Sequence, residues 1–173
     1  MKILSTVVLT LGGIALLSGV AMASDIQAPM TDHVSAFVQL NPAQQKEALA
    51  MTTLQNFKVL ELYRYRLDTA ANYADHLKSK NSHDAKETAS FIRLYGKKSE
   101  AAATTLQANL ALAKQVFQNK TLSKTMDAFG AYLKNNSKKT IHNKTMPTDK
   151  SYKQWQVKIV GEMNSLTGEK VPV

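Results

Sequence analysis

The sequence predicts an all-α fold, an elongated bundle of four to five helices of which two are long. Three observations predict it. Apolar residues recur at helical spacing along two long stretches. Glycine is scarce: beyond residue 23 only Gly96, Gly130, Gly161 and Gly168 remain, too few for the tight hairpins of a sheet protein. Ala, Leu, Lys and Gln are abundant, and all are good helix formers.

The chain opens with a positive Met1-Lys2 and an uncharged apolar run from Ile3 to Val20. Ala21-Met22-Ala23 then places small residues where a signal peptidase requires them. The expectation is a signal peptide over residues 1–23 and an exported protein, periplasmic or secreted. The alternative for the same run is an uncleaved anchor, because its length approaches that of a membrane span. With no cysteine in the chain, the leader cannot be a lipoprotein signal. Removing 23 of the 173 residues leaves 150, enough for a single helical domain over 24–173 with loose N- and C-terminal ends. No transmembrane segment is expected after cleavage.

Asp32 is placed to cap a short helix carrying Val34, Phe37, Val38 and Leu40. Asn41-Pro42 ends it and starts the next, with Asn at N-cap, Pro at N1 and Gln44 at N3, close to a capping box. From Pro42 to about Lys78 no glycine and no further proline interrupts. Leu60, Leu67 and Ala74 repeat every seven residues, and so do Tyr63, Ala70 and Leu77, an a/d seam on one face of a long helix. Glu61 and Arg64 fall on its outer face in this reading. A polar turn over Ser79-Lys80-Asn81-Ser82, with Ser82 as cap, precedes a second long helix to about Gln118. Its seam reads Phe91, Ile92, Tyr95, Ala102, Leu106, Leu110, Ala113 and Phe117. Gly96 leaves open whether that helix runs through or divides. Thr121 is the expected cap of a helix with Leu122, Met126, Phe129 and Leu133 on one side. A polar loop over 135–148 follows. Thr148 or Asp149 then caps a last helix to about Leu166.

Composition narrows the function. With Lys2 removed, 21 basic residues face 13 acidic ones, a net charge of +8. An exported protein this basic is suited to anionic surfaces. The absence of cysteine rules out a disulfide scaffold, thiol catalysis, cysteine-ligated zinc and covalently attached haem.

The densest chemical feature is the span Lys134 to Lys158. It holds Lys134, Lys138, Lys139, His142, Lys144, Lys150, Lys153 and Lys158 against Asp149 alone. Lysine heads are hydrated point charges that take phosphates without fixed geometry. These residues are the candidate site for an anionic or lipid head group. In the last helix Tyr152, Trp155, Ile159, Met163 and Leu166 share one stripe, which reads first as bundle core and second as a membrane-lying face. A second candidate patch is Lys58, Arg64, Arg66, Arg93, Lys97 and Lys98. If the two long helices pair antiparallel about the 79–82 turn, residue 66 lies level with 95, and Tyr63, Tyr65 and Tyr95 add hydroxyls. His83 and Glu87 stand four residues apart, a two-ligand pattern without a third ligand, so no metal is expected. No nucleophile motif or carboxylate pair is present, so neither an enzyme nor a cofactor is expected. Asn119, Asn135 and Asn143 open glycan acceptor triplets.

Leu40-Asn41-Pro42-Ala43-Gln44 resembles the LTxxQ helix start of small basic periplasmic chaperones of the Spy type, with Asn in place of Thr. The wider profile of signal peptide, no cysteine and a basic helical bundle is similar to the small helical type II secretion substrates of intracellular Gram-negative bacteria, the NttA-like proteins. That resemblance implies a non-enzymatic effector that binds phosphoinositide head groups at membranes. The alternative is a periplasmic chaperone or stress protein binding unfolded clients. The expected partner is an anionic membrane surface or phosphorylated ligand, with protein clients as the alternative and nucleic acid not expected.

Overall fold

The computed structural model describes residues 37–77, 83–137 and 150–168. These form α1 (Pro42–His76), α2 (His83–Phe117), α3 (Lys120–Ser137) and α4 (Lys150–Thr167), with a helical turn over 37–39 before α1. No strand occurs among the described residues, and the fold is an all-α bundle. The leader over 1–23, the caps expected at Asp32, Ser82, and Thr148 or Asp149, and the loop lysines lie outside the described residues.

α1 starts where its capping chemistry dictates. Gln44 N donates to Asn41 Oδ1 at 3.0 Å, and Asn41 N donates to Gln44 Oε1 at 3.1 Å. Two of the amides that a helix start leaves unpaired are thereby satisfied. α1 and α2 are each 35 residues long, about 52 Å at 1.5 Å per residue. They pair antiparallel: Thr53 Oγ1 donates to Asn109 Oδ1 at 3.3 Å, and Arg66 Nη1 donates to Tyr95 Oη at 3.4 Å. The expected level of 66 with 95 is therefore found. α2 passes through Gly96 without a break. Gln118, at φ 48°, turns the chain out of α2, and Asn119 caps α3 by accepting from Leu122 N at 3.0 Å. The cap is thus Asn119, not Thr121. Its side chain stands two residues nearer the chain reversal, where the orphan amides begin.

The register of α1 corrects the sequence reading. Leu60 and Leu67 are buried as expected, but the second buried series is Phe57, Arg64 and Ala71. The Tyr63 series lies one residue off, along the edge of the helix pair. Arg64 is therefore not on an outer face. It is 5% exposed and occupies a core position between two apolar neighbours one helical repeat away on either side. A charged residue at a seam position reads as surface in a pattern, but the phase set by Thr53, Phe57, Leu60 and Leu67 leaves it no other face.

α3 and α4, each 18 residues, pack along one half of the long hairpin. Phe57 of α1, Phe129 of α3 and Tyr152 of α4 meet with ring centres 5.0, 5.5 and 6.1 Å apart. α2 adds Leu106, Leu110, Ala113 and Phe117 to the same core. Leu122, Met126, Phe129 and Leu133 are all buried, as their spacing predicts. Tyr152, Ile159 and Met163 are fully buried too, so the stripe of the last helix is bundle core, although Leu166 at its end is exposed. Lys153 meets Glu61 at 3.6 Å, which sets the start of α4 at that level of α1. Beyond it the hairpin continues as an arm of two helices. The arm's buried side chains are few: Arg64, Leu67 and Ala71 from α1 and Thr88 and Ser99 from α2.

Candidate functional site

Burial of the apolar face of α4 turns its lysines outward. Lys150, Lys153 and Lys158 are exposed, as is Lys134 near the end of α3. Lys158 Nζ lies 5.7 Å from the Trp155 ring centre. Lys138, Lys139, His142 and Lys144, the loop part of the same candidate group, lie outside the described residues.

The tertiary structure joins the two candidate groups of the sequence. Lys58 of α1 and Lys153 of α4 line one surface cleft of about 440 Å³ together with Glu61, Leu62 and Tyr65. Glu61 holds Lys153 in place, and Lys58 stands on the same rim. Tyr65, 63% exposed, lines the same cleft and brings a phenol to it. Two lysines separated by 95 positions in sequence thus share a small cleft with a phenol, a group of donors suited to phosphate oxygens.

The rest of the second patch does not form one site. Arg66 reaches Tyr95, with its guanidinium carbon 5.6 Å from the ring centre. Lys98 Nζ lies 5.5 Å from the Tyr63 ring. Arg93 and Lys97 are exposed on α2 and lie outside the lining of the groove that Arg66 enters. Arg64 is removed from the patch altogether by its burial. Its Nη1 has no hydrogen-bond partner among the described residues. Burial holds its guanidinium below the ordinary arginine value, with Tyr152 and Tyr132 opposing that shift. Burial likewise pushes the Tyr152 hydroxyl well up, against the influence of Arg64, while Glu61 and Tyr132 add to the rise.

Arg66 instead closes one end of a groove of about 530 Å³ between α1 and α2 on the arm. Tyr65 and Tyr73 form one wall, Phe91 and Tyr95 the other, and Ala70 and Thr88 lie between them. Phe91 and Tyr95 stack with their planes 13° apart. Asp84 and Glu87 stand at the other end, each 3.9 Å from His83 Nδ1. Spacing puts Phe91 in the seam, yet it is 42% exposed, because at its level the described residues supply only α1 and α2. The groove was legible only in part. Tyr65, Thr69 and Tyr73 share a helical face at intervals of four, as do Glu87, Phe91 and Tyr95, but which faces meet is a tertiary fact.

Among the described residues no three His, Cys, Asp or Glu side chains come together as a metal site, and no helix is long and apolar enough to cross a membrane. The fold and its surface define an all-α bundle with a basic exterior and a two-helix arm. No family model, curated protein or solved structure matches the chain.

Proposed function

We propose that this chain is an exported, non-enzymatic binding protein that recognises anionic ligands, phosphoinositide head groups at a membrane surface first among them. The observation that carries this reading is the convergence of Lys58 and Lys153 on one cleft beside the exposed Tyr65. Lys134, Lys150 and Lys158 extend the same positive character over α3 and α4, and the sequence adds Lys138, Lys139, His142 and Lys144 between those helices. Lys153 is paired with Glu61, and Lys114 with Asp127. The resemblance to helical type II secretion substrates supports the same reading.

The test is vesicle binding by the exported form of the protein. Each lysine near an anionic surface contributes up to ~1 kcal/mol, so three engaged lysines give roughly two decades in affinity. Binding to phosphoinositide vesicles weakens sharply from ~0.05 to ~0.5 M salt, because the Debye length shrinks severalfold. Lys58→Glu with Lys153→Glu removes binding if the cleft is the site. Lys138→Glu, Lys139→Glu and Lys144→Glu together remove it if the loop is. Binding that ignores both variants and salt excludes electrostatic head-group recognition.

A second reading, a periplasmic chaperone, is favoured by the exposed aromatic walls of the arm groove. It predicts suppression of aggregation of an unfolded client at near-equal stoichiometry, without regard to which lipid is present.

A further inference from the structure

We infer that the groove on the arm is a self-association surface, on which the same arm of a second copy packs antiparallel to complete a four-helix bundle. The groove adjoins the cleft at Lys58 and Lys153, with Tyr65 lining both, but the inference does not rest on the head-group reading.

The first ground is incompleteness. At the base of the hairpin, α3 and α4 cover α1 and α2 and bury Phe57, Leu60, Leu106 and Leu110. On the arm the described residues supply only the two long helices. Tyr65, Tyr73 and Phe91, which line the groove, are left 63%, 51% and 42% exposed. A cluster of large apolar side chains on one face marks an interaction surface. Two paired helices are half of a four-helix bundle, and a second such pair supplies the missing layer.

The second ground is charge. Arg66 lies at one end of the groove, level with Tyr95, and Asp84 and Glu87 lie at the other. Tyr95 and Glu87 are two turns apart along α2, about 12 Å at 1.5 Å per residue. A two-fold axis crossing the groove midway, at the level of Ala70 and Phe91, exchanges its ends. Arg66 of each copy then faces Glu87 and Asp84 of the other, the self-complementarity that a closed symmetric dimer requires. Ala70, small and central, gives the two arms room to approach.

The third ground is the local charge balance. The groove's own lining carries Arg66 against Asp84 and Glu87, so the groove itself holds no excess of positive charge in a chain of net charge +9. Because the arm is short, the interface belongs to the small class, below about 1,200 Å² in total, and the dimer dissociates on dilution.

The experiment is sedimentation equilibrium of the exported form. The expected mass rises from one chain at ~1 µM to two chains at ~500 µM, the range of a small interface. Arg66→Glu alone and Glu87→Arg alone each place like charges at both ends and raise the dissociation constant by at least about tenfold. Circular dichroism of each variant checks that the helices remain. An equimolar mixture of the two variants regains the dimer, because opposite charges then face each other at both ends. Three results overturn the inference: one chain at every concentration, including a monomer that holds an unfolded client in the groove; a dimer indifferent to either variant; or a mixture that stays monomeric.

Discussion

The hydroxyl of Tyr152 donates a 2.8 Å hydrogen bond to the main-chain carbonyl of Phe57, and the two rings meet edge to face with centres 5.5 Å apart. This contact ties the start of α4 to the middle of α1 across 95 positions in sequence. It sets the register that turns Lys153 toward Glu61 and Lys58. The Phe57 carbonyl lies within α1, so the tyrosine hydroxyl adds a side-chain bond to a helical acceptor. Tyr152→Phe keeps the ring contact and loses that bond, at an expected cost of about 0.5–1.5 kcal/mol. Urea unfolding measures it, and a loss above about 3 kcal/mol would mean that the hydroxyl holds more than this one bond.

Burial also makes Tyr152 a sensor of alkaline pH. Its hydroxyl titrates higher in the folded chain than in the unfolded one. Below about pH 10, the ordinary tyrosine value, both states keep the proton and its stabilising effect is complete. Above it the unfolded state loses the proton first, and stability falls as pH rises, by up to about 1.4 kcal/mol per pH unit for this one group. Urea unfolding at pH 9, 10 and 11 is expected to show this decline. Tyr152→Phe should show less of it, and an equal decline in both proteins would refute the assignment.

Arg64 is charged, 5% exposed, and has an Nη1 with no partner among the described residues. A buried cation without full hydrogen bonding is destabilising relative to an apolar side chain of similar length. Arg64→Met is therefore expected to raise stability by roughly 1–3 kcal/mol. If thermal unfolding shows a clear loss instead, the guanidinium is satisfied in solution in a way that its neighbours do not show.

At Gly96 an added Cβ meets nothing within 4 Å, and the residue lies inside an unbroken helix. Gly96→Ala should therefore stabilise the protein by about 0.5–1 kcal/mol, through the lower backbone entropy of alanine in the unfolded chain. A destabilised variant would indicate that α2 bends at this point in solution.

Local chemistry made much of this molecule legible in one dimension. Asn41, Pro42 and Gln44 fix the start of α1 because a capping box needs only residues three apart, and the structure contains both of its hydrogen bonds. The spacing of Leu122, Met126, Phe129 and Leu133 fixes the buried face of α3, because a helix has one period and these are its only large apolar residues in phase. The all-α class follows from such local rules.

What the sequence could not decide was phase and partnership. Two heptad series one residue apart, Tyr63 with Ala70 and Arg64 with Ala71, compete for the seam of α1. Packing against α3 and α4 selects the second, although it buries a charge. Likewise Lys58 and Lys153 belong to separate patches in the sequence. The docking of α4 against α1, with its bond from Tyr152 to Phe57 and its ion pair to Glu61, brings them to one cleft. Helix periodicity is set by a few neighbouring residues and can be read along the chain. Which faces meet depends on the summed packing of four helices, and that sum exists only in the folded protein.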